Sequence, residues 1–367
     1  MKLRTLIIVA AAVAAIACGT GKPVEFVPVE LQTVATVDRI SDTTFFSSPW
    51  SIKESSGDIY FLDATLNRVL RLDNDLRFRN YIGAKGRADN EFAMPTLMAI
   101  SDDSVAVYDQ SGKIKFFSAE GKYLGCTPLD KDAPTGDFAM QDGCIYFPTI
   151  NVAQSAFVRL SDGVCTPFGT VDRDGDPTML SIKNGRYIYI HGDRIIAVSQ
   201  FYPEIEVYDR KSLQLEERIP YDDIPLVQQN IRPDYMPSSP SGFVGITPVI
   251  RDCCVHGDRM YMSVPDRING KYNCNKVIAF DIGRRIRPTA LYILGDGSYG
   301  SICADDKYIY AFDMKNSTIC KIACRRRHRH LPSVRKDGRP NARRFGTDSE
   351  PPYSLVARPF TDKPLNI

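Results

Sequence analysis

The sequence predicts an all-β fold, a six-bladed β-propeller of four-stranded antiparallel blades. Three observations predict it. One strand–turn–strand motif recurs six times along the 367 residues. Its first strand is apolar on both faces. No segment keeps a helical period over several turns.

The first strands of the motif read Asp58-Ile-Tyr-Phe-Leu-Asp63, Asp103-Ser-Val-Ala-Val-Tyr-Asp109, Asp142-Gly-Cys-Ile-Tyr-Phe147, Asp193-Arg-Ile-Ile-Ala-Val198, Asp258-Arg-Met-Tyr-Met262 and Asp306-Lys-Tyr-Ile-Tyr-Ala-Phe312. The opening aspartates lie 45, 39, 51, 65 and 48 residues apart, the period of a four-stranded blade. Each has a partner strand, as in Asn67-Arg-Val-Leu-Arg-Leu-Asp73 or Glu204-Ile-Glu-Val-Tyr-Asp209. A strand with Ile59 and Phe61 on one face and Tyr60 and Leu62 on the other must be covered on both sides, as stacked blades would do. Leu76-Arg-Phe-Arg-Asn-Tyr81 and Leu213-Gln-Leu-Glu216 alternate apolar with polar and read as half-wet outer strands. A propeller needs ring closure to protect its edges, and after Cys324 the pattern breaks, so that the third and fourth strands expected of the last blade are missing. Val29 to Ile40 is the apolar-rich segment expected to complete a blade.

The ends differ from the body. Lys2 and Arg4 precede an apolar run from Leu6 to Ala17 that is short for a bilayer span and ends in small residues, as a secretory signal does. It closes as Ala15-Ile16-Ala17-Cys18, which resembles the bacterial lipobox, with Ala15 where Leu is commonest. The domain reading is therefore a lipoprotein signal peptide at 1–17, lipidation at Cys18, a tether at 18–28, the propeller at 29–324 and a basic tail at 325–367. An acylated Cys18 would hold the protein at a membrane. Gly19, where Asp would favour inner-membrane retention, points to the outer membrane, periplasmic or surface side. Residues 325–344 hold eight Arg and one Lys against a single acid, Asp337. Lipid or nucleic-acid contact, disorder and an aberrant reading frame are three readings of that tail. Without it the chain is mildly acidic, so the body offers no electrostatic case for nucleic acid.

Residues 57–125 resemble the TolB-like six-bladed propeller lipoproteins and, through them, the NHL-repeat propellers. That family carries a loop of the form GxxGRGPGEF. Here the loop runs Gly83-Ala-Lys-Gly-Arg-Ala-Asp-Asn-Glu-Phe92, matching at Gly83, Gly86, Arg87, Glu91 and Phe92 and departing at Ala88, Asp89 and Asn90. The resemblance implies an exported, membrane-anchored propeller and supplies no substrate.

Propeller topology brings the connections between blades, and those between second and third strands, to one face. The two longest fall there. One runs from Pro220 to Pro248 with six prolines, the other from Val264 to Cys274. Long loops that share a face are candidates for binding. Arg87, Glu91, Tyr235, Arg251, Arg267 and Tyr272 are the candidate contacts for a protein, peptide or glycan partner. For Arg87 and Glu91 the plainer reading is that they pin their own loop.

Catalytic signatures are scarce. Four histidines are present, and His191 and His256 occupy equivalent turns before Gly-Asp, where a structural role fits best. Asp172-Arg-Asp-Gly-Asp176 opens like a calcium loop, but its twelfth position is Lys183, where a Glu is needed. Nine cysteines follow Cys18 without a CxxC pair and read as small core residues. The expectation is a non-catalytic binding or scaffold module with no cofactor. The alternative is a metal-dependent hydrolase or lyase using calcium or zinc in the channel.

Overall fold

The computed structural model describes residues 25–41, 44–46, 49–101, 103–129, 132–149, 151–173, 180–231, 248–268 and 271–324. All fall in the first of the two units into which the chain divides, residues 1–326. Cys18, Tyr235 and the basic tail lie outside the described residues.

Two strands come first, β1 (Val29–Glu30) and β2 (Gln32–Val37), then a small hairpin of β3 (Arg39–Ser41) and β4 (Thr44–Phe45). Blade 1 is β5 (Pro49–Ser55), β6 (Asp58–Asp63), β7 (Arg68–Asp73) and β8 (Phe78–Ile82). Blade 2 is β9 (Pro95–Ser101), β10 (Ser104–Asp109), β11 (Lys113–Ser118) and β12 (Tyr123–Pro128). Blade 3 is β13 (Ala139–Gln141), β14 (Cys144–Pro148), β15 (Phe157–Ser161) and β16 (Val164–Phe168). A one-turn helix, α1 (Leu180–Lys183), leads into blade 4, which is β17 (Arg186–His191), β18 (Arg194–Ser199), β19 (Glu204–Asp209) and β20 (Leu215–Pro220). Helix α2 (Pro225–Gln228) precedes blade 5, made of β21 (Asp252–His256), β22 (Arg259–Ile268), β23 (Lys271–Asp281) and β24 (Arg287–Ile293). Blade 6 takes β25 (Tyr299–Ala304), β26 (Tyr308–Asp313) and β27 (Thr318–Ala323), and its fourth strand is β2.

The N-terminal segment closes the ring. β2 pairs antiparallel with β27, from Gln32 opposite Ala323 to Val37 opposite Ile319. Just before it, β1 adds parallel to β24 as a fifth strand on blade 5. Leu31, between the two, is buried and donates its amide to the Ile293 carbonyl. One stretch of chain thus covers two sheet edges that would otherwise be open templates.

The core consists of layers between neighbouring blades. Ile59 and Phe61 pack with Tyr310 and Phe312 of blade 6, and Phe61 meets Phe312 edge-on at 5.9 Å. Tyr60 and Leu62, on the other face of β6, pack with Met98, Val105 and Val107 of blade 2. The two-sided apolar pattern of the second strands therefore buries one face in each direction. Cys253, Cys254, Cys274, Cys303 and Cys320 are buried, and Cys165 is exposed.

Two sequence expectations change in detail. Leu76 and Leu213 belong to the turns before the fourth strands, with φ of 64° and 61° and buried side chains. Asp73 and Asp209 organise those turns by accepting the amides of Asp75 and Arg77, and of Ser212. Val264 to Cys274 is not an open loop. β22 and β23 continue their ladder outward, pairing Asp266 with Asn273, Arg267 with Tyr272 and Ile268 with Lys271. A Lys276–Asp266 ion pair braces the extension.

Buried aspartates end the second strands of blades 1, 2 and 6. Asp63 accepts the amides of Thr65 and Leu66. Asp313 accepts those of Ser298 and Lys315. Asp109 accepts Ser111 and Ala93, and its Oδ2 lies 2.9 Å from the Lys115 ammonium, with both side chains almost wholly buried. Each ties a turn within its blade, and Asp109 and Asp313 also hold the connection arriving from the preceding blade. Replacing Asp109 with Ala strands a buried cation, and a loss of about 3–5 kcal/mol in urea unfolding is the expected result.

Candidate functional site

Inner strands β5, β9, β13, β17, β21 and β25 line a central channel. Connections between blades, and between second and third strands, open on one end, the loop face. The turns between first and second strands open on the other, the turn face. The channel holds two chambers. The loop-face chamber, of about 420 Å³, is walled by residues including Ser51, Tyr187, Gln200, Arg251 and Ser301. The turn-face chamber, of about 350 Å³, includes Glu54, Ser101, Gln141, Tyr189 and Cys254. Lys53 lines both.

Three charged groups meet at this waist, one from each alternate blade. Lys53 of β5 reaches across the channel to Asp137, just before β13, with Nζ 2.6 Å from Oδ2. Asp252 opens β21, and its Oδ2 accepts the Ile302 amide of blade 6 at 2.7 Å. The Tyr189 ring stands 5.7 Å from the Lys53 ammonium. Tyr189 donates its hydroxyl to the Cys253 carbonyl, and Tyr187 donates to the Arg251 carbonyl, so β17 is pinned to the strand that carries Asp252. Gly136 lets the chain pass here. Its φ is +84°, and a Cβ would sit 2.6 Å from the Arg186 carbonyl oxygen.

Burial dominates the electrostatics. It raises the Asp137 carboxyl above its ordinary value, opposed by Lys53. Burial also pulls on the Lys53 ammonium, but the Asp137 carboxylate outweighs it and leaves Lys53 above its usual range. Asp252 is pushed up to about 7, first by burial and further by Asp137, against the pull of Lys53 and the Ile302 amide. Two carboxyls share one ammonium, and Asp137 holds it.

The GxxGRxxxEF loop is legible in atomic terms. Gly83 has φ +68°, and a Cβ there would fall 2.2 Å from the Phe92 ring. Phe92 is buried against Phe117. At Gly86 a Cβ would overlap the Glu91 carboxylate, whose Oε2 accepts the Ala88 amide at 3.0 Å. From below, Lys115 donates to the carbonyls of Glu91 and Ala88. Glu91 is thus engaged within its own loop, and Arg87 is exposed.

The other sequence candidates divide by blade. Arg251 is exposed at the mouth of the loop-face chamber and close enough to Cys274 to lower its thiol, which burial raises. Tyr272 is 46% exposed on the blade 5 hairpin. The Arg267 backbone pairs with Tyr272 in the same hairpin. Arg251, Arg267 and Tyr272 therefore share blade 5, whereas Arg87 and Glu91 lie in the connection between blades 1 and 2. The described part of the Pro220–Pro248 connection folds back onto blade 5, where Asn230 donates to the Pro265 carbonyl at 2.8 Å. The two long connections do touch.

Sequence reasoning missed Lys53, Asp137 and Asp252. A faint signal existed for Lys53. In Ser51-Ile-Lys-Glu-Ser55, Ile52 is buried in the core, and Ser51 and Lys53 alternate with it toward the channel.

On the turn face His191 bonds Asp258 at 2.8 Å and Arg194 at 3.0 Å. His256 meets Glu54 and Asp306, each at 3.2 Å, linking blade 5 to blades 1 and 6. Both histidines act as braces between turns. Among the described residues no group of three or more His, Cys, Asp or Glu side chains is placed to hold a metal ion.

The Asp252 carboxyl carries a sign that can be checked. Its folded value of about 7 stands above the ordinary value of about 3.9. Between the two, the native chain keeps a proton that the unfolded chain has lost, so stability falls as pH rises through this window and levels above it. Asp252→Asn removes that loss. Its stabilisation in urea unfolding is expected to be larger at pH 8 than at pH 5 by about 1–2 kcal/mol, and a gain independent of pH would contradict the assignment.

The fold is similar to that of a candidate exported protein of Bacteroides fragilis, at 14% identity and a TM-score of 0.53, covering 81% of this chain and 96% of that one. It is similar to the RRP9 WD40 repeats at 11% identity and a TM-score of 0.50, covering 81% and 100%. BamB from Moraxella catarrhalis aligns at 9% identity and a TM-score of 0.43, covering 80% and 99%. At such identities the likeness is one of fold alone. No curated protein sequence matches the chain. The model of the 6-bladed beta-propeller family DUF5128 matches residues 36–224, just over half of the chain, and the chain belongs to that family.

Proposed function

We propose that this protein is a lipid-anchored binding module of the bacterial envelope that holds a protein, peptide or glycan partner on its loop face without transforming it. The observation that carries this reading is the loop-face chamber, which opens beside the blade 5 hairpin with Arg251 at its mouth and is crossed beneath by the Lys53–Asp137 bridge. A propeller fold is compatible with such a role and does not by itself require it. Exposed apolar side chains on the connections of the same face, Phe45, Met94, Tyr272 and Met314, favour a macromolecular partner.

Anchoring rests on the N-terminal residues. The Lys2–Cys18 pattern supports export and acylation at Cys18, and the GxxGRxxxEF loop supports a place among TolB-like and NHL-like propeller lipoproteins. The fold likeness to a candidate exported protein agrees with export. β1 runs parallel to β24, so residues 25–28 lead into the fold from the turn-face side, with Phe26 packed against the core of blades 4 and 5. In this reading the loop face points away from the membrane.

Two experiments bear on these points. In the native bacterium, Cys18→Ala is expected to move the protein from the membrane fraction to the soluble envelope fraction. Unchanged sedimentation with membranes would remove the lipid anchor. Chemical crosslinking and capture from envelope extracts, with the parent chain and the Arg251→Glu/Tyr272→Ala double variant, addresses the loop face. A partner recovered by the parent and reduced at least tenfold by a variant of equal thermal stability supports the reading. Equal recovery by both overturns it.

A further inference from the structure

We propose that the loop-face chamber receives a free amino terminus of a peptide chain, with the terminal ammonium seated against Asp252. The inference deepens the binding-module reading and rests on it.

The charge balance of the chamber floor leads there. Asp137 and Asp252 face one ammonium, that of Lys53, and Lys53 is bonded to Asp137 at 2.6 Å. Asp252 has the Ile302 amide at 2.7 Å and no ion pair among the described residues. A half-buried carboxylate whose nearest ammonium is already bonded to another carboxylate is only partly compensated, and a ligand cation would offset that cost. The cation must enter from the loop face, because the Lys53–Asp137 bridge crosses the channel below.

The walls narrow the class of ligand. Arg251 stands at the mouth and would repel a second positive group while donating to a carbonyl or carboxylate oxygen. A ligand that is cationic at its inner end and offers acceptors further out matches this polarity, as the start of a peptide does. Gln200, Ser51 and Ser301 line the same space and suit backbone amides and carbonyls. Among the described residues the aromatic side chains that line it are Phe312, which is buried, and Tyr187, whose hydroxyl is tied to the Arg251 carbonyl. At about 420 Å³ there is room for the first few residues of a chain and not for a folded domain.

The test is isothermal titration calorimetry of the full chain at pH 7.5 with three probes: tri-alanine, N-acetyl-tri-alanine and N-acetyl-lysine amide. Tri-alanine is expected to bind. Acetylation of its amino group is expected to weaken binding at least tenfold, and the lysine side-chain ammonium is expected to be at least tenfold weaker as well. Asp252→Asn, which keeps an acceptor for the Ile302 amide, is expected to weaken tri-alanine by the same order. The acetylated probe needs no variant, so the result does not depend on how that substitution folds. Failure of tri-alanine to bind, or equal binding of the acetylated peptide, overturns the amino-terminus assignment. Equal binding of the lysine amide replaces a chain end with a side chain and overturns it too. If tri-alanine does not bind while partner capture still depends on Arg251 and Tyr272, this inference falls and the binding-module reading stands. If both fail, both readings fall.

Discussion

The antiparallel pairing of β2 with β27 is the contact on which the rest of the molecule depends. A propeller has no single core. It has a ring of interfaces, each made of one face from each of two blades, so every interface needs both neighbours in place. Blade 6 draws three strands from residues 299–323 and its fourth from residues 32–37, nearly the whole length of the fold away. Without that strand blade 6 would lose its outer layer, and the interface holding Ile59 and Phe61 against Tyr310 and Phe312 would lose support. The segment also covers the edge of blade 5 through β1. The cost in chain entropy of joining distant segments is concentrated at this one seam.

The channel follows from the ring. Six inner strands point their outward-alternating residues at a common axis, and most of those residues are uncharged. The charged groups that meet at the waist come from alternate blades, Lys53 from the first, Asp137 from the approach to the third and Asp252 from the fifth. Spaced around the axis, they approach one another only in the closed ring. The Lys53–Asp137 bridge joins blades that share no packed interface, so it is both a strut and a partition between the chambers. Asp252 is held by a backbone amide and left without its own cation, which sets the polarity of the chamber open to the loop face.

The connections of that face differ in how tightly they are held. The Gly83–Phe92 loop is fastened from within by Glu91 and from below by Lys115, itself paired with buried Asp109. Its shape is therefore part of the fold, and exposed Arg87 is presented from a rigid base. The blade 5 hairpin is a continuation of a ladder, so β22 and β23 run longer than the corresponding strands of the other blades. Asn230 ties the approach from blade 4 to that hairpin, so blade 5 gathers the longest connections around Arg251.

The sequence by itself determined the architecture. Apolar residues on both faces of the second strands, aspartates and glycines at the turns and a repeat near fifty residues are local facts, and a propeller is built by repeating local facts. It also marked Val29 to Ile40 as the closing segment, because a missing strand at one end must be met by a spare one at the other. It foresaw the loop face, since topology alone sends those connections to one end, and it singled out Arg251 there. The tertiary structure decided the waist. Lys53, Asp137 and Asp252 sit in unremarkable contexts and are more than eighty residues apart in each neighbouring pair, so no spacing rule links them. It also decided that Glu91 turns inward and that Val264 to Cys274 forms a ladder. The waist depends on partners that meet across the ring only once it has closed, whereas Glu91 is turned by the Ala88 amide of its own loop and the hairpin by the ladder within blade 5.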